Sequence, residues 1–281
     1  MLGQRSTTNH KDYVSSTKIS VVLLNYNRPH NIPNALKPLV EHPNVDEIIV
    51  ANGDPKNAYA KSSKESSKVI VIDDTKNNKV FRASRRFLVP TCNTCIIFHD
   101  DDMQINNDFI TNALFAYDKD PIGIYGTWKS ARLVTEIGPY DGVPKEFNVV
   151  IHPYMTNRIV ADSFLQQEKM WEWLTKHGGN GEDILFSLNL KHVFDKYPKV
   201  VHGSWKSLDG SNGYSSGKNF PQERIDLCIF FAPYLTFPRS DIYLIRNKCQ
   251  TTISIFVLLC VSILIFFGFV ILLIVFLRKN K

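Results

Sequence analysis

Three consecutive carboxylates, Asp100-Asp101-Asp102, close the apolar run Ile96-Ile97-Phe98-His99, and a second acidic pair, Glu182-Asp183, follows Gly178-Gly179-Asn180-Gly181. Carboxylates crowded at the end of a buried strand repel one another and lose hydration, so the cluster calls for a positive partner. A divalent cation is the natural one. Mg²⁺ and Mn²⁺ take oxygen ligands and usually share one or two protein carboxylates with the phosphates of a nucleotide. A solvated acidic turn is the other reading of the triplet. The second pair also admits two roles. Asn180 as N-cap with Asp183 as a capping-box carboxylate serves the helix alone. Alternatively Asp183 faces the triplet and acts on substrate, the glycines permitting close backbone approach.

The elements that must position these groups follow a βαβ pattern. Lys18–Leu24 is apolar and β-branched, as expected of a strand covered on both faces, and breaks at Asn25-Tyr26-Asn27-Arg28-Pro29. Asn31–Val40 has helical spacing, with Pro38 expected to end or kink it early. A strand at Glu47–Ala51 stops at the turn Asn52-Gly53-Asp54-Pro55, and a Ser/Lys-rich loop over 56–68 precedes a strand at Val69–Ile72. The spacing predicts a helix over Val80–Val89 that brings Arg82 and Arg86 onto one face, within reach of a diphosphate. A helix from Asn107 or Asp108 to Tyr117 follows the triplet. Ligands of open α/β sheets gather at the carboxyl ends of strands, where Arg28, Asn52 and Asp100 to Asp102 all fall. The second half reads as a strand at Ile122–Tyr125, antiparallel hairpins from Trp128 to Tyr154, a helix over 159–176, and a helix opened by Glu182. Strand Val200-Val201, a Gly/Ser-rich loop over 202–218 and helix Gln222–Phe231 complete it.

Residues 253–277 are uncharged and followed by Arg278, Lys279 and Lys281. At about 1.5 Å per residue the stretch exceeds the roughly 30 Å of a bilayer core, which predicts a transmembrane helix. The organisation expected is a flexible N-terminus (1–17), a globular domain (18–245), a juxtamembrane segment (246–252), the span and a basic tail (278–281). Met1–Thr17 lacks the apolar core of a signal peptide, and the chain has no Asn-x-Ser/Thr sequon, so the domain is expected on the cytosolic side of its membrane. Five cysteines form no disulfide framework; Cys92 and Cys95 make a lone Cys-x-x-Cys leading into a strand. The net charge of +6 suits an anionic ligand or lipid surface, and no basic patch with interleaved aromatics points to nucleic acid.

The combination resembles a GT-A glycosyltransferase: a βαβ start, an aspartate triplet closing the central strand, mixed β structure, then an acidic pair opening a helix. Its details resemble the exostosin-like glycosyltransferases, family 64, from about Lys18 to Phe237. The matching pieces are Asn25-Tyr26-Asn27-Arg28, Ile49–Asn52, Arg82–Phe87, His99–Asp102, Glu182-Asp183-Ile184 and Gly213-Tyr214-Ser215, followed by Arg224 and Cys228. The resemblance implies a mixed, mostly parallel sheet flanked by helices, and a UDP-sugar donor with a glycan or glycoconjugate acceptor. It implies that Arg28 and Asn52 hold the uridine end and that Arg82 or Arg86 lies near the diphosphate or sugar. Asp100 and Asp101 would contact ribose and sugar hydroxyls. Asp102, with Asp100, would bind Mn²⁺ (or Mg²⁺), and Asp183, beside Glu182, would be the catalytic carboxylate. Family members retain anomeric configuration and typically transfer N-acetylhexosamine. Three positions depart from the family: Phe81 replaces an asparagine, Gly181 replaces a cysteine and leaves Cys228 without a disulfide partner, and Arg224 lies one residue from the expected arginine.

Overall fold

Uninterrupted burial marks Ile19–Asn25 (β1) as an interior strand of the sheet. The computed structural model describes residues 6, 8–135, 138–139, 148–209 and 220–231. The chain divides into two units, Met1–Leu235 and Thr236–Lys281, and every described residue belongs to the first. Its strands continue with β2 (Val45–Asn52), β3 (Val69–Asp73), β4 (Cys95–Asp100), β5 (Met103–Ile105), β6 (Ile124–Thr127), β7 (Ala131–Arg132), β8 (Val134–Thr135), β9 (Gly138–Pro139), β10 (Val149–Val150), β11 (Tyr154–Asn157), β12 (Lys199–Val201) and β13 (Trp205–Ser207). The helices are α1 (Ile32–Glu41), α2 (Thr75–Phe81), α3 (Asn107–Lys119), α4 (Arg158–Leu165), α5 (Glu168–Lys176), α6 (Glu182–Phe194) and α7 (Phe220–Phe230).

The main sheet runs β12-β6-β11-β4-β1-β2-β3. β1 pairs in parallel with β2 and β4, β2 with β3, and β6 with β12, whereas β11 is antiparallel to both β4 and β6. The chain builds outward from β1 to β2 and β3, then returns to place β4 on the opposite side. That reversal opens a crevice at the carboxyl ends of β1 and β4, where α/β sheets bind ligands. The mixed, mostly parallel sheet with flanking helices agrees with the expected α/β class.

Several local expectations are corrected. Pro38 does not end α1, which runs to Glu41. Proline cannot donate to the carbonyl four residues back, and that carbonyl, on Asn34, accepts from the Gln104 side chain instead. The helix expected over 159–176 is two, because the backbone leaves helical geometry at Gln167; Trp171 Nε1 donates back to the Phe164 carbonyl at 2.8 Å across the junction. The N-terminus expected to be flexible is, over its second half, a strap along α3. His10 stacks on Phe115, and the hydroxyls of Tyr13, Ser15 and Thr17 all donate to Asp118. Among the described residues no helix is long and apolar enough to cross a membrane. The expected span at 253–277, part of the hairpin region (140–147) and residues 210–218 of the expected loop lie outside the described residues.

His42 closes α1 and is buried against α3. Its Nδ1 accepts from the Asn44 N–H at 3.3 Å, so the proton sits on Nε2, 3.2 Å from Thr111 Oγ1. Burial, with Lys68 nearby, lowers its pKa to about 4. The folded state therefore binds fewer protons than the unfolded state between pH 4 and 6.5. Stability is full above pH 6.5 and falls as pH drops through that window. Between pH 7.5 and 5 this histidine should remove about 2 kcal/mol, and in urea titrations His42→Gln should lose that part of the pH dependence. Equal pH slopes in the two proteins would exclude a neutral buried imidazole.

Candidate active site

β4 carries the triplet into the crevice, and each carboxylate meets a different partner. Asp101 is buried; Arg28 Nη2 lies 2.6 Å from its Oδ1, and the Tyr26 N–H donates to its Oδ2 at 3.0 Å. It thereby ties down the loop that follows β1. Asp102 accepts from Arg28 Nη1 through Oδ2 at 3.1 Å, while its Oδ1 is buried without a partner. Asp100 has Arg86 Nη2 on Oδ1 at 2.9 Å and His152 Nε2 on Oδ2. Burial raises the pKa of all three. For Asp100 the charges of Arg86 and His152 outweigh burial and hold it well below the usual carboxylate range; Asp101 and Asp102 stay above theirs. The positive partner that the triplet demanded is thus supplied in large part by two arginines.

Arg86 is wholly buried and joins the two acidic motifs, its Nη2 reaching Asp100 and, at 3.4 Å, Glu182 Oε1. It gets there because the helix expected over 80–89 does not form as one piece. α2 ends at Phe81, and a 3-10 helix spans Arg82–Leu88. At the junction Arg82 has φ 44°, a region L-residues rarely adopt, so Arg82 and Arg86 do not share a face. Arg82 lines the crevice and Arg86 turns beneath it. The Phe81 carbonyl is held by Ser84 Oγ at 2.6 Å and packed by Gly179, where an added Cβ would lie 1.9 Å from it. Gly179 also has φ +78°. Gly179→Ala should therefore cost at least about 2 kcal/mol in chemical denaturation, combining left-handed backbone strain with a backbone clash. Wild-type stability in that variant would place the glycine loop elsewhere.

α6 begins at Glu182, with Gly181 in the N-cap position at φ 85° and no side-chain cap. Asn180 is not the N-cap; its Nδ2 donates to Glu223 Oε2 at 2.6 Å. Asp183 is buried, its Oδ1 accepting from the Ile184 N–H, and Arg224 Nη2 of α7 contacts both its oxygens at 3.2 Å. Burial raises the pKa of each carboxyl in the pair, but Arg224 and His152 bring Asp183 below its ordinary value. Glu182, with Asp183 beside it, ends above. The environment so separates an ionised carboxylate from one that holds its proton more readily. Arg224 thus lies on the expected catalytic carboxylate.

Arg28, Lys79, Arg82 and Arg85 line a cavity of about 350 Å³ together with Asp100 and Asp101. Lys79 and Arg85 were missed by sequence reasoning. Arg85 is buried against Asp74 at 3.0 Å, and its Nη2 donates to the Asn25 and Ala51 carbonyls at the ends of β1 and β2. Asn52 lies at the same strand ends, but its side chain is turned to structure. Its Oδ1 accepts from Asn25 Nδ2 and the Tyr59 N–H, and its Nδ2 donates to the Tyr59 carbonyl. His152 was also missed; burial and Arg86 lower its pKa, but Asp100 raises it further and the net shift is upward. Only its place two residues before a buried strand residue marks it in the sequence.

A divalent cation fits this arrangement in one mode. The Oδ1 of Asp102 is buried and partnerless, an acceptor left for a cation, whereas both Asp100 oxygens are engaged. Among the described residues no group of three or more His, Cys, Asp or Glu side chains is arranged to hold a metal ion. A cation held by Asp102 and shared with the phosphates of a ligand suits these residues; an all-protein cage does not.

A doubly covered α/β sheet with a cationic cavity at its switch point and carboxylates on the cavity floor defines a nucleotide-sugar glycosyltransferase of GT-A type. The family model for glycosyl transferase family 2 matches residues 20–180, more than half of the chain, and the chain belongs to that family. The matched residues run from β1 through the triplet to the loop before Glu182. Nothing in the match points to the exostosin-like family in particular. Comparison with curated proteins gave no match.

Proposed function

We propose that this glycosyltransferase moves a sugar from a UDP-sugar to a glycan or glycoconjugate acceptor, with Mn²⁺ or Mg²⁺ bound through Asp102. The observation that carries the reading is the cavity itself, lined by Arg28, Lys79, Arg82 and Arg85 together with Asp100 and Asp101, a cationic lining suited to a diphosphate. Neutralising the departing diphosphate is the chemistry such a cation supplies. In this reading Arg28 and Arg82 bind its oxygens, and Arg86 fixes Asp100 toward the sugar. Asp183 stays ionised and stabilises positive charge developing at the anomeric carbon. A carboxylate held below its ordinary pKa by Arg224 suits that role better than the removal of a proton from the acceptor.

The finer features rest on the exostosin-like motifs and the C-terminal sequence: N-acetylhexosamine as the transferred sugar, retention of configuration, and a bilayer anchor at 253–277. The free Cys92, Cys95 and Cys228 agree with a catalytic domain on the reducing, cytosolic face. Incubation of the full chain in detergent with UDP-N-acetylhexosamine, Mn²⁺ and an acceptor panel should give a product whose anomeric proton, by NMR, keeps the donor's configuration. An inverted product would make Asp183 the base for the acceptor hydroxyl. Failure to transfer from any UDP-sugar would refute the reading.

A further inference from the structure

Asp100 is held by two side chains that arrive from separate parts of the chain. Arg86 comes from beneath the crevice. His152 comes from the segment leading into β11, whose register with β4 sets Tyr154 opposite Phe98 and so brings His152 level with Asp100. The histidine Nε2 contacts Asp100 Oδ2 while Arg86 Nη2 takes Oδ1 at 2.9 Å, so the carboxylate is gripped at both oxygens. With Arg86 alone, one oxygen would be anchored and the broad terminal torsion of aspartate would be free to turn.

The segment bearing His152 is itself fixed to the helix that carries the second acidic pair. The Val150 N–H donates to Ser187 Oγ of α6 at 3.2 Å, and Tyr154 stacks on Phe186, one turn after Glu182, with ring centroids 5.6 Å apart. His152 Nδ1 and the Tyr154 hydroxyl are buried without partners. The only polar side-chain contact of the imidazole among the described residues is therefore Asp100, the residue that carries the end of β4 into the crevice.

We propose that His152 is a positioning residue for donor binding: acting through Asp100, it fixes with Arg86 the carboxylate that lines the donor cavity. This rests on the reading of that cavity as a UDP-sugar site. Residues that orient a binding carboxylate from behind typically carry a 10- to 100-fold effect when removed.

A double-mutant cycle separates action through Asp100 from a general structural role. UDP-N-acetylhexosamine with Mn²⁺ is titrated calorimetrically into the full-length wild type, His152→Ala, Asp100→Asn and the double variant. His152→Ala should weaken the dissociation constant about 10- to 100-fold in the wild-type background and change it little in the Asp100→Asn background. His152→Gln, whose amide still donates to Asp100, should recover part of the loss, and it replaces the alanine variant in the cycle if that variant does not fold. Multiplicative losses, or unweakened binding by His152→Ala, would overturn the proposal while leaving the donor site standing. A wild-type chain that binds no donor would remove the site reading and this inference together.

Discussion

Replacing Arg86 with methionine should destabilise the domain by about 3–5 kcal/mol, the largest stability loss expected of a single substitution at the site. Methionine matches much of the buried volume, so the cost comes from charge. Asp100 and Glu182 would be left facing each other without the guanidinium that lies within 2.9 and 3.4 Å of them. Glu182 already has a raised pKa and would hold its proton more readily still; Asp100 would lose Arg86, the largest of the charges that hold it ionised. In a domain of this size the loss corresponds to roughly 10 °C in melting temperature. Adding Glu182→Gln to Arg86→Met should recover part of it, since a neutral amide no longer needs the cation. A melting temperature within 2 °C of wild type for Arg86→Met, a limit set by about 1 kcal/mol, would show that the arginine does not bridge the two motifs.

The second large effect is on rate. Asp183→Asn keeps the shape of the side chain and an oxygen for Arg224, but removes the negative charge of the proposed catalytic carboxylate. Transfer should fall about 10³-fold or more, equivalent to about 4 kcal/mol of lost transition-state stabilisation, while donor binding persists. Single-turnover measurement at saturating donor isolates this step. Transfer at the wild-type rate would take Asp183 out of the chemistry.

The elements nearest the sheet were the most readable in the sequence. β1 to β4 and the triplet at the end of β4 follow from apolar runs punctuated by Asn, Gly and Pro, since a strand covered on both faces leaves few alternatives. The helix over 80–89 was misread because hydrophobic spacing does not register a backbone break. At the break the Phe81 carbonyl packs closely against Gly179, almost a hundred positions away. The consequence of the break was functional, since it sends Arg82 and Arg86 to different places. Asn52 fell at the right strand end, but the sequence could not show that Asn25 and the Tyr59 backbone would occupy its side chain. His152 was invisible for a related reason. An antiparallel strand inserted into a parallel sheet places it beside Asp100, and no local pattern encodes that insertion. The expectation of a divalent metal rests on an unbalanced cluster of carboxylates, and Arg28, Arg86 and His152 supply much of that balance. What remains for a cation is the single buried, unpartnered oxygen of Asp102.

The most direct test of the site is a calorimetric titration of UDP into the full chain, with Mn²⁺ and again with the metal chelated, for wild type and for Asp102→Asn. Wild type should bind UDP with Mn²⁺ and at least about tenfold more weakly without it, and Asp102→Asn should bind weakly under both conditions with no metal response. Equal affinity with and without metal in the wild type, or a full metal response in Asp102→Asn, would contradict the assignment of Asp102. No binding of UDP under any condition would contradict the site.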